Sequence, residues 1–253
     1  MRKTLLAITT FNQLKYTELC RKSIPEIDGL DIVFIDDNST DNTVKHLNSL
    51  AFFYTKSKHY NIIEKDKGAG LTHSWNLAYK TFKEQDYNNL IISNNDVEFN
   101  ESLQYMIEGF RLYPFVVPMS GRDKCGNSGK RQEVTTYHKR FIDWRPDTVQ
   151  KCLPQLNNNV RYLPITWFHG FCFGFTKEIS IAEFDDKHLF NPKNINVHQE
   201  EDLYRRLEKN NIRPHVCTGT YVHHYGSKTL PYLGQVDGQD SRQLLEWNRE
   251  RLK

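Results

Sequence analysis

An α/β fold with a mainly parallel sheet, covered by helices on both faces, is what this chain predicts, on three observations. Near-continuous apolar runs recur along the early part of the chain. Stretches with helical spacing of apolar residues alternate with them. Polar groups gather where the runs stop, and in parallel sheets ligands collect at those carboxyl ends.

TLLAITT (4–10) reads as the first strand, and the stretch from Leu14 to Ser23 as the helix that follows. DIVFID (31–36) leads into the helical TVKHLNSL, and NIIEKD (61–66) leads through KGAG into LTHSWNLAYKTFKEQ. LIISNND (90–96) is a fourth strand. Between about Pro114 and Pro164 periodicity fails among GRDKCGNSGKRQ and PQLNNN, and no strand is assigned there; such a stretch in a compact domain reads as a functional loop or as disordered chain. Order resumes at ITWFHGFCFGFTKE, whose small residues between rings suggest a strand that another backbone or a ligand approaches closely. FDDKHLF follows, then a helix over HQEEDLYRRLEKN, a strand over HVCTGTYVHHY and a C-terminal helix ending SRQLLEWNRERLK. No repeats or clear linkers interrupt the 253 residues, so one domain is expected, its two halves meeting near residue 110.

A net charge of +3, with basic pairs placed beside acids, argues against nucleic acid as the partner. The 13% share of aromatic residues suits a cleft lined with rings and equally a ring-filled core. No run approaches the ~18 apolar residues of a membrane span, and the apolar part of MRKTLLAITTFNQ is too short for a signal peptide. Five dispersed cysteines without a CxxC pair point to free thiols in a reducing, cytoplasmic setting, and away from structural zinc.

DDNSTDNT is the stretch that calls for chemistry. Capping of the next helix by Ser39 or Thr40 explains its short polar residues. It leaves Asp36 and Asp37 unexplained, since adjacent carboxylates at a strand end need donors or a cation to stay ionised. An aspartyl-phosphate phosphatase wants a second acid where Asn38 stands. A receiver domain carries its acids after the first strand, and a dinucleotide fold wants G-x-G-x-x-G where this chain has TTFNQ.

From TLLAITTFNQ onward the chain resembles the family 2 glycosyltransferases of the GT-A fold, a single Rossmann-like domain. The resemblance runs in order through DDNSTD, KGAGLTHSWNLAY, IISNNDVEF, HGFCFGFTKE, QEEDLYRRL and VHHYGSKT, and so spans nearly the whole chain outside the irregular middle. It implies a nucleotide-sugar donor (UDP-, GDP- or dTDP-linked) and a divalent Mn2+ or Mg2+ ion. It also implies a glycan, glycolipid or glycoprotein acceptor, and transfer with inversion. By that resemblance Thr9, Thr10, Phe11 and Asn12 lie against the base, Asp37 accepts from base or ribose, and Asp36 supports the turn. Lys67, Gly68 and Asn76 belong to the donor pocket, as do His169 and Gly170 beside the transferred sugar.

The Asp-x-Asp signature of the family has become Asn94-Asn95-Asp96, with Asp96 the expected metal ligand and Asn94 or Asn95 near the ribose. Of His223 and His224, one is expected to bind that metal or to donate to the phosphates, with Ser227 and Lys228 nearby, and a structural histidine is the other reading. The base that takes the acceptor proton is assigned to Glu200, with Glu201 or Asp202 taking the role under a shifted alignment. Helix-dipole complementarity and a Glu201–Arg205 pair account for some of these acids without catalysis. Two other readings stay open: a sugar nucleotidyltransferase, which lacks here the glycine-rich basic loop after strand one, and a non-catalytic binder of the same fold, to which Asn94 lends standing.

Overall fold

The computed structural model describes residues 3–51, 60–65, 69–121, 132–138, 158, 160–196 and 198–226. Alternating side-chain direction along a strand sends Leu5 and Ala7 of β1 (Thr4–Thr10) to one face and Leu6 and Ile8 to the other, all of them buried. A strand apolar on both sides has to lie between two layers, and β1 is central. Helix α1 (Leu14–Ser23) follows it, then β2 (Leu30–Asp36), α2 (Thr43–Ala51), β3 (Tyr60–Glu64), α3 (Leu71–Glu84) and β4 (Asn89–Asn94). The short β5 (Val97–Glu98), α4 (Leu103–Gly109), β6 (Phe115–Met119) and the helical turn α5 (Val134–Tyr137) come next. The remainder is β7 (Tyr162–Pro164), β8 (Cys172–Thr176), a 3-10 turn (Lys177–Ala182), α6 (Gln199–Lys209), β9 (His215–Tyr221) and β10 (His223–His224).

The eight-stranded sheet has the order β3-β2-β1-β4-β8-β6-β9-β7, and β5 pairs with β10 in a separate two-stranded sheet. Pairing is parallel from β3 across to β4, as the alternating runs predict. The second half is mixed. Strand β8 runs antiparallel to both β4 and β6, β6 and β9 are parallel, and β7 closes the edge antiparallel to β9. Two buried clusters sandwich this sheet. One holds Trp75, Tyr79 and Phe82 of α3, Phe115, Phe173 and Phe175 of the sheet, and Leu203 and Leu207 of α6. The other holds Cys20 of α1, Phe34 of β2 and Leu103 and Met106 of α4.

The stretch 114–164 departs from its irregular reading. Phe115–Met119 is a fully buried strand inside the sheet, and Tyr162–Pro164 an edge strand. Pro118 hid β6, because a proline argues against a central strand. The sheet tolerates it where β8 has already ended its pairing, at Val116, and the register with β9 shifts between Pro118 and Met119. The Pro118 carbonyl is taken by the Gln132 side-chain amide at 3.1 Å. The expected tight strand is β8, where a Cβ at Gly174 would lie 2.6 Å from the Phe110 ring and 2.9 Å from the Leu90 carbonyl. The C-terminal helix, together with Lys67, Gly68, Ser227 and Lys228, lies outside the described residues.

Topology fixes where chemistry can sit. Strands β1, β2, β4, β6 and β9 point their carboxyl ends to one rim, and antiparallel β8 begins there, with Ser93 opposite Cys172.

Candidate active site

The rim has two stretches. At the first, Asp36 and Asp37 follow β2 and are both buried. The Asp36 carboxylate accepts from the Ser39 N–H (2.7 Å), the Ser39 hydroxyl (2.5 Å) and the Thr10 hydroxyl (3.2 Å). Burial still pushes its pKa up, against those hydrogen bonds. Asp37 accepts from the N–H groups of Ala69 (2.9 Å) and Gly70 (3.0 Å) and pairs with the Lys65 ammonium. Lys65 is itself buried and donates to the Ser74 hydroxyl at 3.1 Å. The donors that two neighbouring carboxylates require thus come from the chain itself, those of Asp36 from the loops after β1 and β2 and those of Asp37 from the β3–α3 connection.

Asn12 completes this stretch. Its backbone is left-handed (φ 55°), a conformation asparagine tolerates, and its side-chain oxygen accepts from the N–H groups of Thr40 (2.8 Å) and Asp41 (3.2 Å). Ser39 answers by accepting from the Asn12 N–H at 2.7 Å, so the loops after β1 and β2 are laced together. Thr9 donates to the Ser93 carbonyl at 3.3 Å, and Phe11 is buried.

At the second stretch, β4 ends at Asn94, whose side-chain oxygen is buried without a hydrogen-bond partner. Asn95 turns inward and donates to the Thr17 hydroxyl (2.8 Å) and the Asn12 carbonyl (3.2 Å). Asp96 points to the pair of two-residue strands, where His224 faces Val97 and His223 faces Glu98. The Nε2 of His224 lies 3.3 Å from Asp96 Oδ1, off hydrogen-bond geometry, so both ring nitrogens are buried without such a partner. The His224 ring stacks on Phe171 (centroids 4.8 Å, 17°), which precedes β8. Buried polar atoms left without hydrogen bonds call for a reason. An imidazole nitrogen, a carboxylate and an amide oxygen are donor types that Mn2+ accepts, and the last two suit Mg2+ as well. The residues therefore fit a divalent cation. Among the described residues no group of three or more His, Cys, Asp or Glu side chains is arranged to enclose one. His223 sits to the side, with Nδ1 3.4 Å from the Tyr221 hydroxyl and its ring against Tyr225.

Helix α6 brings the acids, and geometry separates the three. Glu201 pairs with Arg205 one turn on and approaches His198 at 3.4 Å. Asp202 takes two hydrogen bonds from Arg206, at 2.7 and 3.2 Å. Among the described residues Glu200 forms no ion pair with an arginine or lysine. Its Oε1 accepts from the Gly170 N–H at 3.1 Å, and burial raises its pKa above the ordinary 4.5. The neighbouring His169 N–H donates to the Gln132 side chain at 2.6 Å.

Of the sequence-named residues, Thr9 to Asn12, Asp36, Asp37, Asn94 to Asp96, His169, Gly170, Glu200 and His224 all gather along this rim. Asn76 is different, because its amide closes two hydrogen bonds of 2.9 Å with the Phe190 backbone, and so clamps α3 to the segment before α6. Sequence reasoning missed Lys65 and Gln132. A lysine directly after an apolar run, in IIEK, was a usable signal for the first; the second had none.

A family model described as Glycosyl transferase family 2 matches residues 6–184. No curated protein matches the chain in sequence. Among solved structures, GalNAc-T7 with UDP, GalNAc and Mn2+ aligns with a TM-score of 0.65 at 12% identity, over 90% of this chain and 45% of that one. The mannosyltransferase PcManGT from Pyrobaculum calidifontis, in complex with GDP-Man and Mn2+, aligns at 0.57 and 15%, over 86% of this chain and 56% of that one. S. aureus TarS 1-349 in complex with UDP-GlcNAc aligns at 0.55 and 11%, over 99% of this chain and 71% of that one. The chain thus spans about half the length of the first two of these structures.

Proposed function

The chain belongs to glycosyl transferase family 2 and has the GT-A fold, and from that premise we propose that it moves a sugar from a nucleotide-sugar donor to an acceptor hydroxyl, with inversion. The observation that carries this reading is the meeting of Asp96 with His224, at 3.3 Å, on the rim that also holds Glu200. The donor class is supported by UDP, UDP-GlcNAc and GDP-Man in the complexes of structural neighbours.

In this reading the nucleoside lies over the laced loops after β1 and β2, with Thr9, Thr10, Phe11 and Asn12 beneath it and the remaining lone pairs of Asp37 facing base or ribose. Asn94 Oδ1 receives a ribose hydroxyl or lies beside the cation. Asp96 and His224 are the residues that would hold Mn2+ or Mg2+, and such a cation, when bound, supplies Lewis-acid stabilisation of the departing diphosphate. Glu200 holds its carboxylate against the Gly170 N–H and takes the proton of the acceptor hydroxyl. The acceptor oxygen forms its bond to the anomeric carbon as the bond from that carbon to the diphosphate oxygen breaks, and a single displacement inverts the centre. A raised pKa suits Glu200 to the work, because a base is most effective when its pKa approaches the operating pH.

The acceptor is proposed as a glycan, glycolipid or glycoprotein. No helix among the described residues is long and apolar enough to cross a membrane. A cytoplasmic location is part of the proposal and rests on the buried free thiols of Cys20, Cys172 and Cys217. The test is release of nucleoside diphosphate from a panel of UDP-, GDP- and dTDP-sugars, with Mn2+ and then with a chelator. Release from one donor class that stops on chelation is expected; binding without release for every donor would replace the enzyme with a binding protein.

A further inference from the structure

Position 170 is where three elements touch: the approach to β8, helix α3 and helix α6. A Cβ built there would lie 2.4 Å from Glu200 Oε1, 3.0 Å from Glu200 Cδ and 2.5 Å from the Cη2 of Trp75. The backbone of Gly170 is not among those with positive φ, so space, rather than a special conformation, demands the missing side chain. Of its two neighbours, Trp75 cannot yield. It is fully buried, its ring meets Phe173 edge-on (5.0 Å, 71°) and Phe190 at 5.0 Å, and Asn76 next to it is clamped to the Phe190 backbone. Glu200, half-buried in the first turn of α6, is the group that would have to move.

The geometry points to Gly170 as a positioning residue for Glu200: its N–H fixes one carboxylate oxygen, its lack of a side chain leaves room for the rest, and the Trp75 ring closes the seat from behind. This inference rests on the reading of Glu200 as the base. It also gives a reason for the contrast within α6. Glu201 and Asp202 are tied to Arg205 and Arg206, whereas Glu200 is held by the Gly170 backbone N–H. Shortening the side chain at 200 should relieve what lengthening the side chain at 170 inflicts.

Four variants test this on the full chain, with donor turnover and nucleoside diphosphate binding measured for each. G170A is expected to lower kcat by about a hundredfold, the scale of a misplacement near 1 Å, with the donor KM unchanged. E200D is expected to lower kcat by about tenfold or more. Independent losses would multiply in G170A/E200D to about a thousandfold; the expected result is a double variant no worse than E200D alone, the signature of two residues sharing one space. Multiplying losses would overturn the seat. Should G170A alone not fold, a folded and nucleotide-binding G170A/E200D reads the same relief, and failure of both to fold would reduce Gly170 to packing. E200Q separates the two levels, because near-normal turnover in that variant removes the base itself, whereas an inactive E200Q with multiplying losses in the double variant removes only the seat.

Discussion

The two stretches of the rim differ in how their polar groups are satisfied. After β1, β2 and β3 the chain answers the demands of the residues at the strand ends: Asp36 has Ser39 and Thr10, Asp37 has Ala69, Gly70 and Lys65, and Asn12 has Thr40 and Asp41, although Thr43 Oγ1 at the start of α2 is buried without a hydrogen bond. After β4, and before β8, it does not. Asn94 Oδ1 and both His224 nitrogens are buried without a hydrogen bond, and Glu200 leans on a backbone N–H. The lesson is that a carboxylate at a strand end is not by itself a mark of a ligand. The saturated stretch reads as a built cradle, and the unsaturated one as the place where an outside atom is wanted.

Changing Asp37 should cost the fold most. Asp37→Ala leaves Lys65 buried without its carboxylate, and a loss of about 3–5 kcal/mol is expected in chemical denaturation, since a broken buried pair strands a charge. Asp37→Ala with Lys65→Met should recover most of it. A loss within experimental error in the first variant would erase the contrast between the two stretches.

The unsaturated stretch should respond in the opposite currency, activity. Asp96→Ala and His224→Phe are each expected to lower metal-dependent turnover by about a hundredfold or more, as several kcal/mol of charge stabilisation are lost. His224→Phe keeps the stacking on Phe171, so its unfolding free energy should stay within about 1 kcal/mol of the parent. A large fall in stability would show that the imidazole serves the fold.

Asn12→Ala probes the lacing between loops. Two backbone N–H groups lose an acceptor, and a cost of about 1–2 kcal/mol is expected, with nucleotide binding weakened and the pH profile untouched. The smallest effect concerns Glu200 and pH. Its folded pKa lies above the ordinary 4.5, so the native state keeps the proton longer than the unfolded chain does. The stability that follows is fully present below the unfolded value and is lost as pH rises through the folded one. Glu200→Gln should therefore gain in melting temperature over the parent when both are moved from acidic to mildly alkaline buffer. The acid limb of kcat in the parent should lie above the range of an ordinary glutamate; a limb at or below 4.5 would contradict the burial of this carboxyl.

Much of the first half was legible because its strands are apolar on both faces and its helices are amphipathic, so β1 to β4 and α1 to α3 announce themselves residue by residue. Strand β6 was not, since Pro118 imitates a loop. The two-residue strands β5 and β10 are too short to leave any periodicity, yet they are what joins Asp96 to His224. Residue types named the acids of the site, but their partners were invisible for a physical reason. The donors to Asp37 are backbone N–H groups of Ala69 and Gly70, which any sequence possesses. Likewise, no pattern in HQEEDLYRRL says which acid meets Gly170 and which meets an arginine; only the angle at which α6 arrives decides that.

The pairing of β5 with β10 also closes a long loop of the chain. Tyr225 reaches Glu98 across 127 positions of the chain, and Asp96 meets His224 in the same closure. Closing a loop of that length costs entropy before its contacts are made, which slows folding more than it lowers stability. A chain that ends before residue 223 keeps the residues that lace the loops after β1 and β2 but lacks the imidazole that meets Asp96.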